Sequence, residues 1–251
     1  INVLGSGYMG KQICSLFVAL GYEVIIWQNS DENLEDFIKK EIIKIEKVLN
    51  LNKSGNFKII RNISQLEENF TIETLTENTV IKKKIFSQLS YNKNIFSNTS
   101  SLSVDELGKN INILHFMNPV TLPIVELYKN NSYVESDLNH VVSSLKKISY
   151  DVIIVQNIPG FLVNRILFKN LSYFFYLLEI EKANIKDLKK IYKIILNNDP
   201  IKLINMIGLD TSLSILTNLN KFDKSFYVPN LIKNSVKQNI LGYKNKKLFK
   251  I

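Results

Sequence analysis

"INVLGSGYMGKQICSLFVAL", residues 1–20, places three glycines between a short apolar run and a longer apolar stretch with helical spacing. Gly5, Gly7 and Gly10 have the spacing G-x-G-x-x-G. In this context the first glycine permits a tight turn, the second lets backbone approach a pyrophosphate, and the third allows close packing of the following helix. The junction therefore predicts a strand, a dinucleotide-binding turn and a helix whose first N–H groups bind phosphate. The alternative is that the glycines only close a tight turn.

The alternation of short apolar runs and helical patterns continues to about residue 156. Such alternation favours a mostly parallel sheet with helices on its faces. After "QNIPG" only helical spacing remains. We therefore predict an α/β fold, in which a doubly wound, Rossmann-type domain with a mostly parallel sheet at residues 1–156 is followed by a smaller all-α domain at residues 157–251. The candidate strands are "INVLG", "EVIIW", "FKII", "FTIETL", "NIFSNT", "NILHF", "PIVELY" and "DVIIVQ".

The choice of dinucleotide depends on the end of the second predicted strand, "VIIWQNSDENL". Sites of this kind usually carry an acid about twenty residues after the glycines, which binds the adenosine ribose. Here Gln28 has that position, and Asp31 either substitutes for the acid or caps the next helix. No Arg or Lys lies between Trp27 and Leu34 to meet a 2′-phosphate, so NAD is predicted rather than NADP. The predicted contacts are Gln28 and the whole turn, Gly5, Ser6, Gly7, Tyr8, Met9 and Gly10.

Composition limits the other classes of function. The formal charge of +9 is compatible with binding of a polyanion such as nucleic acid. The lysines, however, are interleaved with apolar positions, which favours solvent-exposed helix faces over a nucleic-acid-binding patch. No apolar run approaches the roughly 18 residues of a membrane span, and no metal-ligand spacing occurs. Cys14 is the single cysteine, so no disulfide forms within the chain. We expect a reducing compartment, either the cytoplasm or, if a leader precedes Ile1, an organelle matrix.

His115, in "ILHFMNPV", is one of only two histidines in the chain. Oxidation of a secondary alcohol needs a base for the hydroxyl proton, and an imidazole nitrogen suits that task. Glu126 lies on the next apolar run, "PIVEL", and would orient the ring through its other nitrogen. The alternative for His115 is a structural histidine at a strand end. His140, in a helix pattern, is predicted to lie on a helix surface.

Four further stretches support the chemical interpretation: "FSNTSSLSVDEL" (96–107), "LHFMNPVTLPIVEL" (114–127), "IPGFLVNR" (158–165) and "IGLDTS" (207–212). Together with "GSGYMG" they resemble, in wording and order, the L-3-hydroxyacyl-CoA dehydrogenase family, which includes the 3-hydroxybutyryl-CoA dehydrogenases. The resemblance covers nearly the whole chain. It implies NAD-dependent interconversion of an L-3-hydroxyacyl-CoA and a 3-ketoacyl-CoA in fatty acid β-oxidation, and a homodimer formed through the helical domain.

The same resemblance implies roles for individual residues. His115 would be the general acid/base and Glu126 its partner. Ser100 would bind the C3 oxygen of the substrate, although its Ser-Thr cluster would equally satisfy a strand-to-helix turn. Asn164 would close the site from the helical domain. The remaining family positions are Glu77, Lys82 and Lys244 around the cofactor.

The sequence also departs from the family. Family members usually follow the second strand with a helical hairpin that grips the CoA nucleotide, whereas here one predicted helix, carrying Lys44 and Lys47 as phosphate contacts, turns straight back to a strand. The segment between His115 and Glu126 is one residue shorter, and a glycine-rich loop is replaced by "ILNNDP". Two rival functions follow, a dehydrogenase of free or carrier-bound 3-hydroxy acids and a catalytically silent dinucleotide-binding dimer.

Overall fold

The eight apolar runs form the strands of one sheet in a computed structural model of the chain. The structure describes residues 1–29, 33–52, 55–89, 94–130 and 133–251. It divides into two units, Ile1–Asn157 and Ile158–Ile251.

The first unit is a doubly wound α/β unit, as predicted. Its sheet has the order β3-β2-β1-β4-β5-β6-β7-β8, and every neighbouring pair is parallel except β6 and β7. The strands are β1 (Asn2–Leu4), β2 (Val24–Trp27), β3 (Phe57–Ile60), β4 (Thr71–Glu73), β5 (Ile95–Ser97), β6 (Ile111–Phe116), β7 (Ile124–Tyr128) and β8 (Asp151–Ile154). The helices are α1 (Tyr8–Ala19), α2 (Glu35–Leu49), α3 (Thr79–Phe86), α4 (Val104–Leu107) and α5 (Glu135–Lys147).

Parallel pairing places the carboxyl ends of several strands at one edge of the sheet. β1, β4, β5 and β6 all run the same way, so Leu4, Glu73, Ser97 and Phe116 end at that edge. In an open α/β sheet, ligands bind outside the carboxyl ends of the strands. Apolar side chains from the strands and from α1, α2 and α5 form the core that holds this edge in place.

The second unit is helical. Its helices are α6 (Val163–Glu179), α7 (Ile185–Leu196), α8 (Pro200–Ile207), α9 (Leu209–Phe222) and α10 (Asn230–Lys237). Their apolar faces enclose a core rich in phenylalanine and leucine.

The "ILNNDP" segment is mostly helix boundary rather than a long loop. Ile195 and Leu196 belong to α7, which ends at Asn197 in the left-handed conformation (φ 46°). The Asp199 side chain accepts hydrogen bonds from the backbone N–H groups of Ile201 and Lys202, and so caps α8. Helix capping by asparagine and aspartate therefore replaces the flexibility that glycine would give.

The described residues contain neither a membrane-spanning helix nor a cluster of metal ligands. None of their helices is both long and apolar enough to cross a membrane. No group of three or more His, Cys, Asp or Glu side chains in that part of the chain is arranged to hold a metal ion.

Candidate active site

The three glycines of the turn between β1 and α1 differ in their backbone conformation and in the space around them. Gly5 has φ +108°, a conformation that L side chains rarely adopt, and a Cβ on Gly10 would lie 2.0 Å from the carbonyl oxygen of Gly5. A Cβ on Gly7, by contrast, would meet no atom within 4 Å. The protein therefore needs Gly5 and Gly10 for its own packing, while the space above Gly7 is open to a ligand.

The turn is held from the neighbouring strand. The hydroxyl of Thr74, directly after β4, lies 3.0 Å from the carbonyl oxygens of Leu4 and Gly5 and donates to this pair. Gly7 is the N-cap residue of α1, and no side chain caps that helix start. The first N–H groups of α1 thus suit an anion, because a helix N-terminus combines unpaired donors with a positive dipole end.

Gln28 stands at the end of β2, where the sequence predicted it. Its side chain is buried, and its backbone N–H donates to the carbonyl oxygen of Ile60 at 2.9 Å. Asp31 lies outside the described residues, so the two alternatives for it stay predictions. Of the other residues of the turn, Ser6 and Met9 are half-buried and Tyr8 is exposed.

His115 and Glu126 face each other across the antiparallel strand pair β6 and β7. The register of β6 and β7 places His115 directly opposite Glu126. Nδ1 of His115 lies 2.8 Å from Oε2 of Glu126, and both side chains are buried. A carboxylate in this position accepts the Nδ1 proton, which makes Nε2 the basic nitrogen of the ring.

Ser100 lies on a turn after β5 that is tied to Glu77. Oε1 of Glu77 accepts hydrogen bonds from the backbone N–H groups of Ser100 (2.7 Å) and Ser101 (3.2 Å), and the Thr99 hydroxyl donates to the same oxygen at 2.7 Å. The Asn98 side chain accepts from the backbone N–H of Phe116, the residue that follows His115. The turn carrying Ser100 is thereby fixed to the strand that carries His115.

A buried acid that sequence reasoning missed lies beneath this turn. Glu73, the last residue of β4, is fully buried, and its Oε1 lies 2.5 Å from Nζ of Lys82. Burial raises the pKa of Glu73 above its usual range, while Lys82 and the Ser97 hydroxyl act in the opposite direction. In the sequence, Glu73 is visible only as an acid inside the apolar run "FTIETL". A strand whose end is exposed to solvent would also accommodate an acid there, so the pattern did not indicate a buried role.

Other predicted residues occupy separate places. Lys44 and Lys47 lie on the exposed side of α2, and Lys44 forms an ion pair of 3.0 Å with Glu41. Asn164, buried, is in the first turn of α6, and Lys244 forms an ion pair with Asp210 within the second unit. The structure describes these two within their own unit, so their roles at the substrate and cofactor stay predictions.

His140 lies on the exposed surface of α5, as predicted. Its ring and the Tyr22 ring form an edge-to-face contact, with centroids 5.6 Å apart. Cys14 is buried in α1 and forms no disulfide.

Comparison with known proteins gives two family matches that together cover almost the whole chain. Residues 1–158 match the model of the 3-hydroxyacyl-CoA dehydrogenase NAD binding domain, and residues 160–250 match that of the 3-hydroxyacyl-CoA dehydrogenase C-terminal domain. The fatty acid oxidation complex subunit alpha of Idiomarina loihiensis is 28% identical over 194 residues. That match takes in 69% of this chain but spans only 27% of the relative.

Two solved structures resemble the whole chain. (S)-3-hydroxybutyryl-CoA dehydrogenase PaaH1 from Ralstonia eutropha is 25% identical with a TM-score of 0.79, covering 100% of this chain and 98% of that one. FadB2 of M. tuberculosis is 23% identical with a TM-score of 0.82, covering 99% and 98% of the two chains. At this level of identity, the similarity to FadB2 shows a shared fold only.

Proposed function

Because the chain belongs to the 3-hydroxyacyl-CoA dehydrogenase family, we propose that it oxidises the 3-hydroxyl group of an L-3-hydroxyacyl-CoA to the ketone with NAD, and catalyses the reverse reduction. The observation that carries the proposal is the buried His115–Glu126 pair at the edge of an NAD-binding unit. Fatty acid β-oxidation is the metabolic setting in which this reaction class belongs.

The residues of the first unit fit a dinucleotide. The open space above Gly7 and the uncapped start of α1 suit its pyrophosphate, and the Gln28 side chain suits a ribose hydroxyl. When bound, NAD supplies the acceptor for the hydride that leaves C3 of the substrate. An amide in place of a carboxylate weakens the ribose contact by about 1 kcal/mol without adding a charge that favours a 2′-phosphate, which supports NAD over NADP.

The proton is handled by the chain itself. Nε2 of His115 takes the proton of the 3-hydroxyl group during oxidation and returns it during reduction. Glu126 holds the ring through Nδ1 at 2.8 Å and stabilises the imidazolium that forms. The Ser100 hydroxyl both donates and accepts, so it binds the C3 oxygen in alcohol and ketone alike. Asn164, from the second unit, is proposed as the further substrate contact.

A second candidate function has the same chemistry but a different substrate, a free or carrier-bound 3-hydroxy acid in place of the CoA thioester. It is favoured by α2, since the described chain between β2 and β3 carries this one helix and lacks the second helix of a hairpin. Of the four lysines of α2, Lys44 and Lys47 are the two proposed to meet the CoA phosphates, and Lys44 is already paired with Glu41. Equal KM values for acetoacetyl-CoA and for a short acetoacetyl thioester without the nucleotide would favour this second candidate.

We propose a homodimer formed through the second unit. In support, the end of α7 exposes neighbouring apolar side chains, with Ile194 and Ile195 each 72% exposed. Isolated exposed isoleucines are ordinary, but a contiguous group is typical of an interaction surface. The single buried cysteine favours a reducing compartment, the cytoplasm or an organelle matrix.

The test of the proposed activity is oxidation of NADH by acetoacetyl-CoA, followed at the absorbance of NADH. We expect saturable turnover that requires the 3-keto group, with butyryl-CoA inactive as the control, and a higher kcat/KM with NADH than with NADPH. Binding of NADH without turnover of any 3-ketoacyl compound would contradict the proposal and favour a silent dinucleotide-binding dimer.

A further inference from the structure

Glu73 and Lys82 form an ion pair that is almost completely removed from solvent. The Glu73 side chain is 0% exposed and that of Lys82 is 1% exposed. Burying two charges is unfavourable, and well-packed apolar residues of similar size usually stabilise a fold as well or better. Stability of the fold therefore does not explain why this ion pair lies next to the turn that carries Ser100.

Lys82 directs its ammonium group to three protein acceptors. Nζ lies 2.5 Å from Oε1 of Glu73, 3.2 Å from the carbonyl oxygen of Leu75 and 3.5 Å from Oε2 of Glu77. The contacts with Glu73 and Leu75 are hydrogen bonds, and the contact with Glu77 is an ion pair. Lys82 therefore links the two acids to each other.

Both acids hold the turn that carries Ser100. Oε2 of Glu73 accepts a hydrogen bond of 2.5 Å from the Ser97 hydroxyl, and the Ser97 oxygen accepts one of 3.2 Å from the backbone N–H of Thr99. Glu77 accepts from the backbone N–H groups of Ser100 and Ser101 on the other side. The backbone on either side of Ser100 is thus anchored twice, and both anchors lead to Glu73.

We propose that Glu73 is a positioning residue for Ser100. It acts by two routes, directly through Ser97 and indirectly through Lys82 and Glu77, and it does not touch substrate. The inference rests on the proposed function for its kinetic consequence, whereas the structural link between Glu73 and the turn stands apart from it. Removing the charge of Glu73 would release the 97–101 turn and displace the Ser100 hydroxyl from the C3 oxygen.

The kinetic test is a double-mutant cycle. We expect Glu73→Gln to lower kcat roughly 10- to 100-fold, since small misplacements of a substrate-binding group have effects of this size. In a Ser100→Ala background the same substitution should lower kcat by less than about twofold, because the group it positions is already gone. Losses that multiply fully in the double variant would overturn the proposal.

Matched variants separate positioning from stability. Thr71 lies on the same strand, is also buried, and accepts a side-chain hydrogen bond from Asn2 at the opposite end. Thr71→Val should lower Tm while leaving kcat unchanged. The double variant Glu73→Gln/Lys82→Met leaves no charge at either fully buried position, and Glu77, which loses Lys82, is partly exposed. It should regain thermal stability but not kcat; recovery of both would contradict a positioning role.

A third readout does not need turnover. Hydrogen exchange at the amides of Ser100 and Ser101 should become roughly tenfold faster in Glu73→Gln and stay unchanged in Thr71→Val. If Glu73→Gln does not fold, Ser97→Ala removes the direct route alone and should accelerate exchange at the Thr99 amide, with a smaller effect at Ser100 and Ser101, which Glu77 still holds. Unchanged exchange in the folded variant would refute the inference even if the enzyme is active, and absence of turnover with accelerated exchange would refute only the proposed function.

Discussion

His115 and Glu126 show how a strand register can assemble a reactive pair. The two residues lie on consecutive antiparallel strands, and direct opposition brings Nδ1 within 2.8 Å of Oε2. A scarce histidine and an acid on the next apolar run were visible in the sequence, so this pair was predictable. Glu73 was not, because its role depends on Lys82 and Ser97, which lie on different elements of the chain.

Replacement of Glu126 by Gln tests the orienting role of the carboxylate. An amide of the same shape can offer either its N–H or its oxygen to Nδ1, so the tautomer that leaves Nε2 basic is no longer enforced. We expect kcat to fall about 10²- to 10⁴-fold with little change in the affinity for NADH, measured by steady-state kinetics and by fluorescence titration. Wild-type kcat in this variant would show that the ring needs no carboxylate partner.

Cys14 provides a second prediction at this scale. Burial raises the pKa of the Cys14 thiol to about 12, so its reactive thiolate is scarce at pH 8. We expect a thiol reagent such as DTNB to leave the native protein unmodified at pH 8 and to titrate one thiol after addition of guanidinium. The Thr71→Val variant, destabilised without a new thiol, serves as a check on transient unfolding. Rapid labelling of the native protein would contradict the enclosed position of this side chain.

The strands and helices could be predicted from the sequence more completely than the side-chain contacts. Strands predicted from eight apolar runs are present at those runs, because alternation of strand and helix at short spacing leaves few arrangements besides a parallel sheet. The boundary region of α7 and α8 was less predictable. The "ILNNDP" segment differs from a glycine-rich loop, yet Asn197 and Asp199 end one helix and begin the next by capping.

The β1–α1 turn allows two alanine substitutions with opposite expectations. Gly10→Ala would place a methyl group 2.0 Å from the Gly5 carbonyl oxygen, and overpacking of this kind should lower Tm by roughly 5 °C or more. Gly7→Ala meets no protein atom within 4 Å and should leave Tm unchanged. It should nevertheless weaken NADH binding by about tenfold, or roughly 1.4 kcal/mol, because the methyl group occupies the space proposed for the pyrophosphate.

Thermal melts and NADH titrations of the two variants check this pair of expectations. Loss of stability in Gly7→Ala, or unchanged NADH affinity in that variant, would contradict the assignment of the open space to a ligand.

At the scale of the whole molecule, the sequence predicted a helical region after the sheet but gave little direct information about its surface. The exposed apolar end of α7 emerges only when the helix faces are known, since the same isoleucines would suit a core. Assembly therefore has to be tested on the intact chain.

We expect the wild-type protein to sediment as a dimer at micromolar concentration, and the double variant Ile194→Glu/Ile195→Glu to dissociate at least about a hundredfold more readily, because unpaired carboxylates are costly in an apolar contact. Lys193→Glu, on the same exposed helix end, is the control for a change of charge alone. A wild-type monomer, or a dimer indifferent to both isoleucines, would exclude this surface as the interface.

The measurement that bears most directly on the central claim is the rate of NADH oxidation by acetoacetyl-CoA in the intact protein and in His115→Ala, compared at equal NADH occupancy. With His115 as the proton donor of the reduction, kcat should fall about 10²- to 10⁴-fold while NADH binding is retained. Turnover that is indifferent to the loss of His115 would contradict the account, because the buried pair would then have no part in the reaction.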